Sequence, residues 1–90
     1  MQILRPQAAI ARSALKRTAF YAQIQRGMLP APFSLGERAT GFIAEELDAV
    51  LAARAAGASD AEVRELVEAM QQQRKARAAE LVQGVRKAVK

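Results

Sequence analysis

The 90-residue chain has neither cysteine nor histidine. Their absence removes disulfides, thiolate nucleophiles, imidazole bases and the usual zinc-ligand sets. No metal, cofactor or enzymatic activity is therefore expected. A cysteine-free chain also fits a reducing, cytoplasmic location. No stretch approaches the roughly 18 apolar residues that a membrane span requires. The start "MQILRPQAAIARS" lacks the basic region and apolar core of a secretory signal. The expectation is a soluble, unprocessed protein with no membrane partner. Ninety residues allow one compact domain with an extension and leave little room for an enclosed pocket.

Basic charge is plentiful, and its placement says more than the net +5. Residues 1–43 carry six basic side chains (Arg5, Arg12, Lys16, Arg17, Arg26, Arg38) against Glu37, for +5. Residues 44–68 carry seven acids against Arg54 and Arg64, for −5. Residues 69–90 return to +5, with six basic residues against Glu80. The N-terminal half suits an anionic partner; the middle block does not.

Pro6 suits a helix start, and Ile10 among alanines predicts a short helix over about Gln7 to Arg12, broken at Ser13 and Ala14. A second helix is predicted from Lys16 or Arg17 to Arg26. Phe20 and Ile24 line one face, Thr18, Tyr21, Ala22 and Gln25 the other, and Gly27 is the C-terminal stop. Pro30 and Pro32 force extended chain. Two very short strands, "FSL" and "TGF" or "TGFI", then read as a hairpin turning at Gly36, Glu37, Arg38 and Ala39. Leu47, Val50 and Leu51 predict a third helix from Ala44 to about Arg54, with acids in its first turns. Ser59 and Glu62 form a capping box that opens a fourth. Its apolar positions are Val63, Val67, Met70, Ala78, Leu81, Val85 and Val89, with Arg74 where another apolar residue belongs. A continuous helix here would be roughly 46 Å long at about 1.5 Å per residue. That exceeds what the remaining chain can cover, so two shorter helices, or a tail ordered only by a partner, stay open. Phe20, Ile24, Leu29, Leu35, Phe42, Leu47 and Leu51 are the expected core, and Leu15 is expected to return to it.

Two helices across a tight break, a hairpin and a third helix make a mainly α fold with a small β-hairpin: a MerR-like winged helix-turn-helix with a C-terminal helical extension. The expected division is a winged unit over residues 1–56 and a tail over 57–90. Ile3-Leu4-Arg5, Leu15-Lys16-Arg17-Thr18 and Tyr21 stand in order along this unit. Gly27-Met28-Leu29-Pro30-Ala31-Pro32, Leu35, Gly36-Glu37-Arg38 and Gly41-Phe42 follow. On these residues the chain, from Ile3 to Arg54, resembles the AlpA family of phage and mobile-element regulators, which is related to small excisionases. The chain departs from the family pattern at four positions. Ala14 replaces a glycine, Lys16 replaces the serine that would cap the second helix, and Phe42 and Val50 each replace a tryptophan. A substitute cap is expected from Ser13, or a later helix start.

The resemblance implies a sequence-specific protein for double-stranded DNA. In it Thr18, Tyr21 and Gln25 would face base edges and Ala22 a thymine methyl, with Lys16 and Arg17 on phosphates. Arg38 would reach a phosphate or a narrow minor groove from the wing, and Arg12 and Arg26 would add phosphate contacts. The plainer alternatives are a solvated helix face, a Tyr21 packed on the wing, and an Arg38 paired with Glu37, Glu45 or Glu46. Val63, Val67, Met70, Leu81 and Val85 form a stripe expected to join copies into a homo-oligomer, alone or on DNA. The function expected is that of an excisionase, or recombination directionality factor, with an integrase as a further partner, or that of a transcriptional regulator. The alternative is a helical interaction protein whose basic half is accessory.

Overall fold

The computed structural model describes residues 1–88. Its elements run β1 (Ile3–Leu4), α1 (Pro6–Ser13), α2 (Arg17–Gln25), β2 (Phe33–Gly36), β3 (Ala39–Ile43), α3 (Ala44–Ala55) and α4 (Asp60–Ala88). It is a winged helix-turn-helix arrangement, mainly helical, with a small antiparallel sheet and a long last helix.

α1 opens on Pro6, where a missing amide leaves nothing unpaired, and stops at Ala14 in the left-handed region (φ 61°, ψ 16°). The Ser13 hydroxyl shapes this break. It donates to the Ile10 carbonyl (2.7 Å) and accepts from the Leu15 N–H (3.2 Å). It does not cap α2, which starts directly after an extended Lys16 with no side-chain cap. The far end of α2 closes in a Schellman motif. Met28 N–H reaches the Gln23 carbonyl (2.9 Å) and Gly27 N–H reaches that of Ile24 (3.1 Å). Gly27 takes the positive φ of 75° that this requires. α3 ends in the same motif, and Ser59 and Glu62 then exchange the two bonds of the capping box (3.0 and 3.2 Å).

The hairpin gains a third strand that the sequence did not signal. The order is β1-β3-β2, with Ile3 opposite Ile43, Leu4 opposite Phe42 and Phe33 opposite Gly41. Strand alternation sends Leu4 and Phe42 inward and places Ile3, Ile43 and Leu35 on the outer face. Leu35 is thus 45% exposed rather than in the core, and Leu15, at 37%, also stays at the surface. Ile3 and Leu35 close over Gly41, where a Cβ would lie 2.8 Å from Ile3 Cγ2 and 3.1 Å from Leu35 Cδ1. Only glycine fits there without displacing them.

Phe20, Phe42, Leu47, Val50 and Val63 are fully buried, with Phe20 and Phe42 edge to face at 5.3 Å. Each such side chain contributes about 1.5–3 kcal/mol by leaving water. Leu29 is buried as expected, and Ile24 and Leu51 are half-buried. The core continues past residue 56, because Val63 and Val67 from α4 close it against α3, with Leu66 and Met70 packed at its margin. The buried cluster therefore includes side chains of α4. α4 is one uninterrupted helix of 29 residues, about 43 Å long at about 1.5 Å per residue. Its second half runs past the body, leaving Leu81 and Val85 more than 60% exposed. The stripe expected to join copies is thereby divided. Val63 and Val67 are enclosed by their own chain and Met70 is half-covered, while Leu81 and Val85 remain open. Val89 lies outside the described residues.

Candidate nucleic-acid interface

Because α2 advances 100° per residue, Thr18, Tyr21, Ala22 and Gln25 share one stripe, turned away from Phe20 and Ile24. Thr18 and Gln25 are exposed, and Tyr21 and Ala22 are half-buried. Tyr21 is held from two sides. Its ring meets Phe20 edge to face at 5.3 Å, and the Arg17 guanidinium lies over it, 5.4 Å from the ring centre. Arg17 thus lies along the helix, over the Tyr21 ring. One position round from this stripe, Gln23 accepts a bond from Arg54 (3.1 Å) that ties α2 to the end of α3.

The start of α2 is electropositive for two reasons. Lys16 and Arg17 stand there, and its first amides lack the side-chain acceptor that a serine cap would supply. Such amides, at the positive end of the helix dipole, suit an oxyanion such as phosphate. At the other end Arg26 is exposed, and its carbonyl accepts from Arg64 Nε (3.2 Å). Arg38 sits at the hairpin tip, exposed, with φ 55°.

Among the described residues, Lys16, Arg17, Arg26 and Arg38 pair with no carboxylate. Two of the acids considered as partners for Arg38 are engaged elsewhere. Glu45 takes the Gln2 N–H (3.0 and 3.1 Å), and Glu46 takes Arg74. Arg12 differs from these four. It makes a two-pronged pair with Asp48 of α3, both bonds 2.8 Å, which raises the Arg12 pKa and lowers that of Asp48. The bonded carboxylate holds the guanidinium toward α3, so Arg12, expected to add a phosphate contact, is here paired with an acid.

The Arg74 cluster escaped the sequence reading. Arg74 pairs with the buried Glu46 through both carboxylate oxygens, donates to the Ala31 carbonyl (3.0 Å) and covers the Phe33 ring at 5.7 Å. Its only signal was the charged residue interrupting the apolar stripe of α4. Among the described residues no group of acids is arranged to hold a metal ion, and no helix is long and apolar enough to cross a membrane.

No curated protein and no solved structure matches the chain. The family model described as prophage CP4-57 regulatory protein (AlpA) matches residues 2–55. That span takes in β1, the helix-turn-helix, the hairpin and α3, and ends where α3 ends. It is more than half of the sequence, and the chain belongs to the AlpA family of prophage regulatory proteins.

Proposed function

We propose that this protein binds double-stranded DNA. α2 lies in the major groove and the β2–β3 hairpin lies along the neighbouring backbone. The observation that carries the reading is one face of α2, with an uncapped start beside Lys16 and Arg17, the stripe of Thr18, Tyr21, Ala22 and Gln25, and Arg26 at its end; these three cations, and Arg38 at the hairpin tip, have no carboxylate partner among the described residues. Lys16, Arg17, Arg26 and Arg38 meet phosphates, and Thr18 and Gln25 reach base edges. Ala22 offers a methyl-sized contact to thymine, and Tyr21 supports the surface through Phe20. Four phosphate contacts give a slope of about −3.6 for log K against log salt concentration.

One unit this small makes few base contacts, so useful specificity requires several copies on adjacent sites. Leu81 and Val85, on the open half of α4, are the residues through which neighbouring copies touch. The biological role is that of an excisionase that bends an attachment region for an integrase, or that of a promoter-binding regulator. Footprinting on the DNA around its own gene tests both. Evenly spaced protected blocks beside a recombination core indicate the excisionase, and protection over a promoter alone indicates the regulator. No protection at low salt and high protein concentration would remove DNA recognition altogether.

A further inference from the structure

Arg64, Gln71 and Arg74 lie on one side of α4, seven and three residues apart, and between them they grip the end of α2 and the segment that leads from it to the hairpin. Arg64 Nε holds the Arg26 carbonyl at the end of α2 (3.2 Å). Gln71 Oε1 accepts the Ala31 N–H (2.9 Å), and Arg74 donates to the Ala31 carbonyl (3.0 Å). Ala31 lies between Pro30 and Pro32, which have no amide hydrogen, so its N–H is the sole backbone donor of that tripeptide. Both polar groups of this one peptide residue are held by α4. The prolines make the segment stiff, so holding Ala31 fixes the direction in which β2 leaves at Phe33, whose ring Arg74 also covers. The other leg of the hairpin is fixed from the same place. Glu46, three residues beyond the end of β3, is bound by Arg74 through both oxygens.

We propose that α4 is a splint that sets the angle between α2 and the hairpin, with Gln71 and Arg74 as positioning residues for Arg38. The inference rests on the DNA-binding reading above and adds to it a segment outside the matched family region, which ends at residue 55. Neither residue touches DNA. They determine whether Arg38 arrives at the backbone while α2 occupies the groove. Loss of their bonds leaves the hairpin formed by its own ladder but free to tilt about the 30–32 segment.

The test is a double-mutant cycle, read as affinity for the footprinted DNA fragment with full-length protein. Arg38→Asn removes the charge with a residue that tolerates positive φ. In the native background it is expected to weaken binding about five- to tenfold, the usual range for one lost charged contact. In a Gln71→Leu background, or a Glu46→Gln/Arg74→Met background that leaves no lone charge, the same substitution is expected to cost less than about twofold, because Arg38 no longer arrives. An equal Arg38→Asn penalty in native and altered backgrounds overturns the splint, since loss of purely stabilising α4 bonds lowers the melting temperature without changing that ratio. Gln71→Leu removes a single hydrogen bond and keeps the ion pair, so it decides the matter if the double variant fails to fold. A neutral Arg38→Asn in the native chain is a different result, visible before any change to α4. It overturns the role of the wing in DNA binding, and the splint with it.

Discussion

Ala14 and Lys16, the two residues that depart from the family pattern at the helix-turn-helix break, both lower stability, but they differ in what they are expected to do for DNA binding. Ala14 holds φ 61°, a conformation that costs an L-residue about 1–2 kcal/mol, whereas glycine adopts it freely. Glycine loses more entropy on folding, so Ala14→Gly is expected to stabilise by about 0.5–1 kcal/mol net. Thermal unfolding measures this, and DNA affinity stays unchanged because the backbone path is already the one glycine would take. Lys16 leaves the start of α2 without a side-chain acceptor. Lys16→Ser supplies one, which is expected to raise stability by about 1 kcal/mol. It also removes one cation and occupies an amide offered to phosphate. Binding should weaken, and the salt slope should become about one unit less steep. A variant that is more stable and binds as before would take Lys16 out of the interface.

At the scale of elements, the bonds most legible in sequence are local ones. The Ser59–Glu62 box and the glycine stop of α2 use residues three to five apart, so composition and spacing reveal them. The capping box is acid-sensitive, as are two carboxylate bonds between distant residues. The Ser59 N–H and hydroxyl lower the pKa of Glu62, the Arg12 bond lowers that of Asp48, and the Gln2 N–H lowers that of Glu45. A carboxylate whose folded value lies below its unfolded one stabilises fully above the unfolded value of about 4. It loses that contribution as pH falls through the folded value. Stability should therefore be level from about pH 6 to 8 and decline below about pH 4, with Glu62→Gln and Asp48→Asn each flattening part of the decline in a pH series of melting curves. Long-range bonds were not legible in this way. β1 has two residues, too few for alternation to register, and it exists because Leu4 and Ile3 find β3 some 40 residues later. Arg74 was visible as an interruption of the apolar stripe, but its partners Glu46 and Ala31 are 28 and 43 residues away. Because Glu46 is nearly buried and Arg74 is 23% exposed, Arg74→Met alone should cost about 2–3 kcal/mol, below the range for fully buried pairs. Neutralising both in Glu46→Gln/Arg74→Met should recover most of that. Urea unfolding of the two variants checks the difference.

For the whole molecule, the order of charge along the chain becomes an arrangement in space. The first basic block spreads over α1, α2 and the hairpin tip, the acidic block forms α3 and the start of α4, and of the second basic block Arg74 packs against the body while Lys75, Arg77, Arg86 and Lys87 follow along α4. Sequence periodicity located the stripe from Val63 to Val85 but could not say where the body ends. The first part closes the chain's own core, while among the described residues Leu81 and Val85 of the stripe stay exposed. Lys75, Arg77, Arg86 and Lys87 accompany those two residues, against a lone Glu80. Two such segments repel each other in dilute solution, and two short apolar contacts do little to offset this. In the proposed complex with DNA, phosphates would screen the repulsion and binding would raise the local concentration of neighbours. The protein should therefore sediment as a monomer when free and still bind a two-site fragment cooperatively, with a coupling of about 1–2 kcal/mol. Leu81→Glu/Val85→Glu should abolish that coupling while leaving single-site affinity within about twofold, because neither residue lies in the packed unit. Titration of one-site and two-site fragments separates the two quantities. Cooperativity that survives the double substitution would assign the coupling to DNA distortion instead of α4.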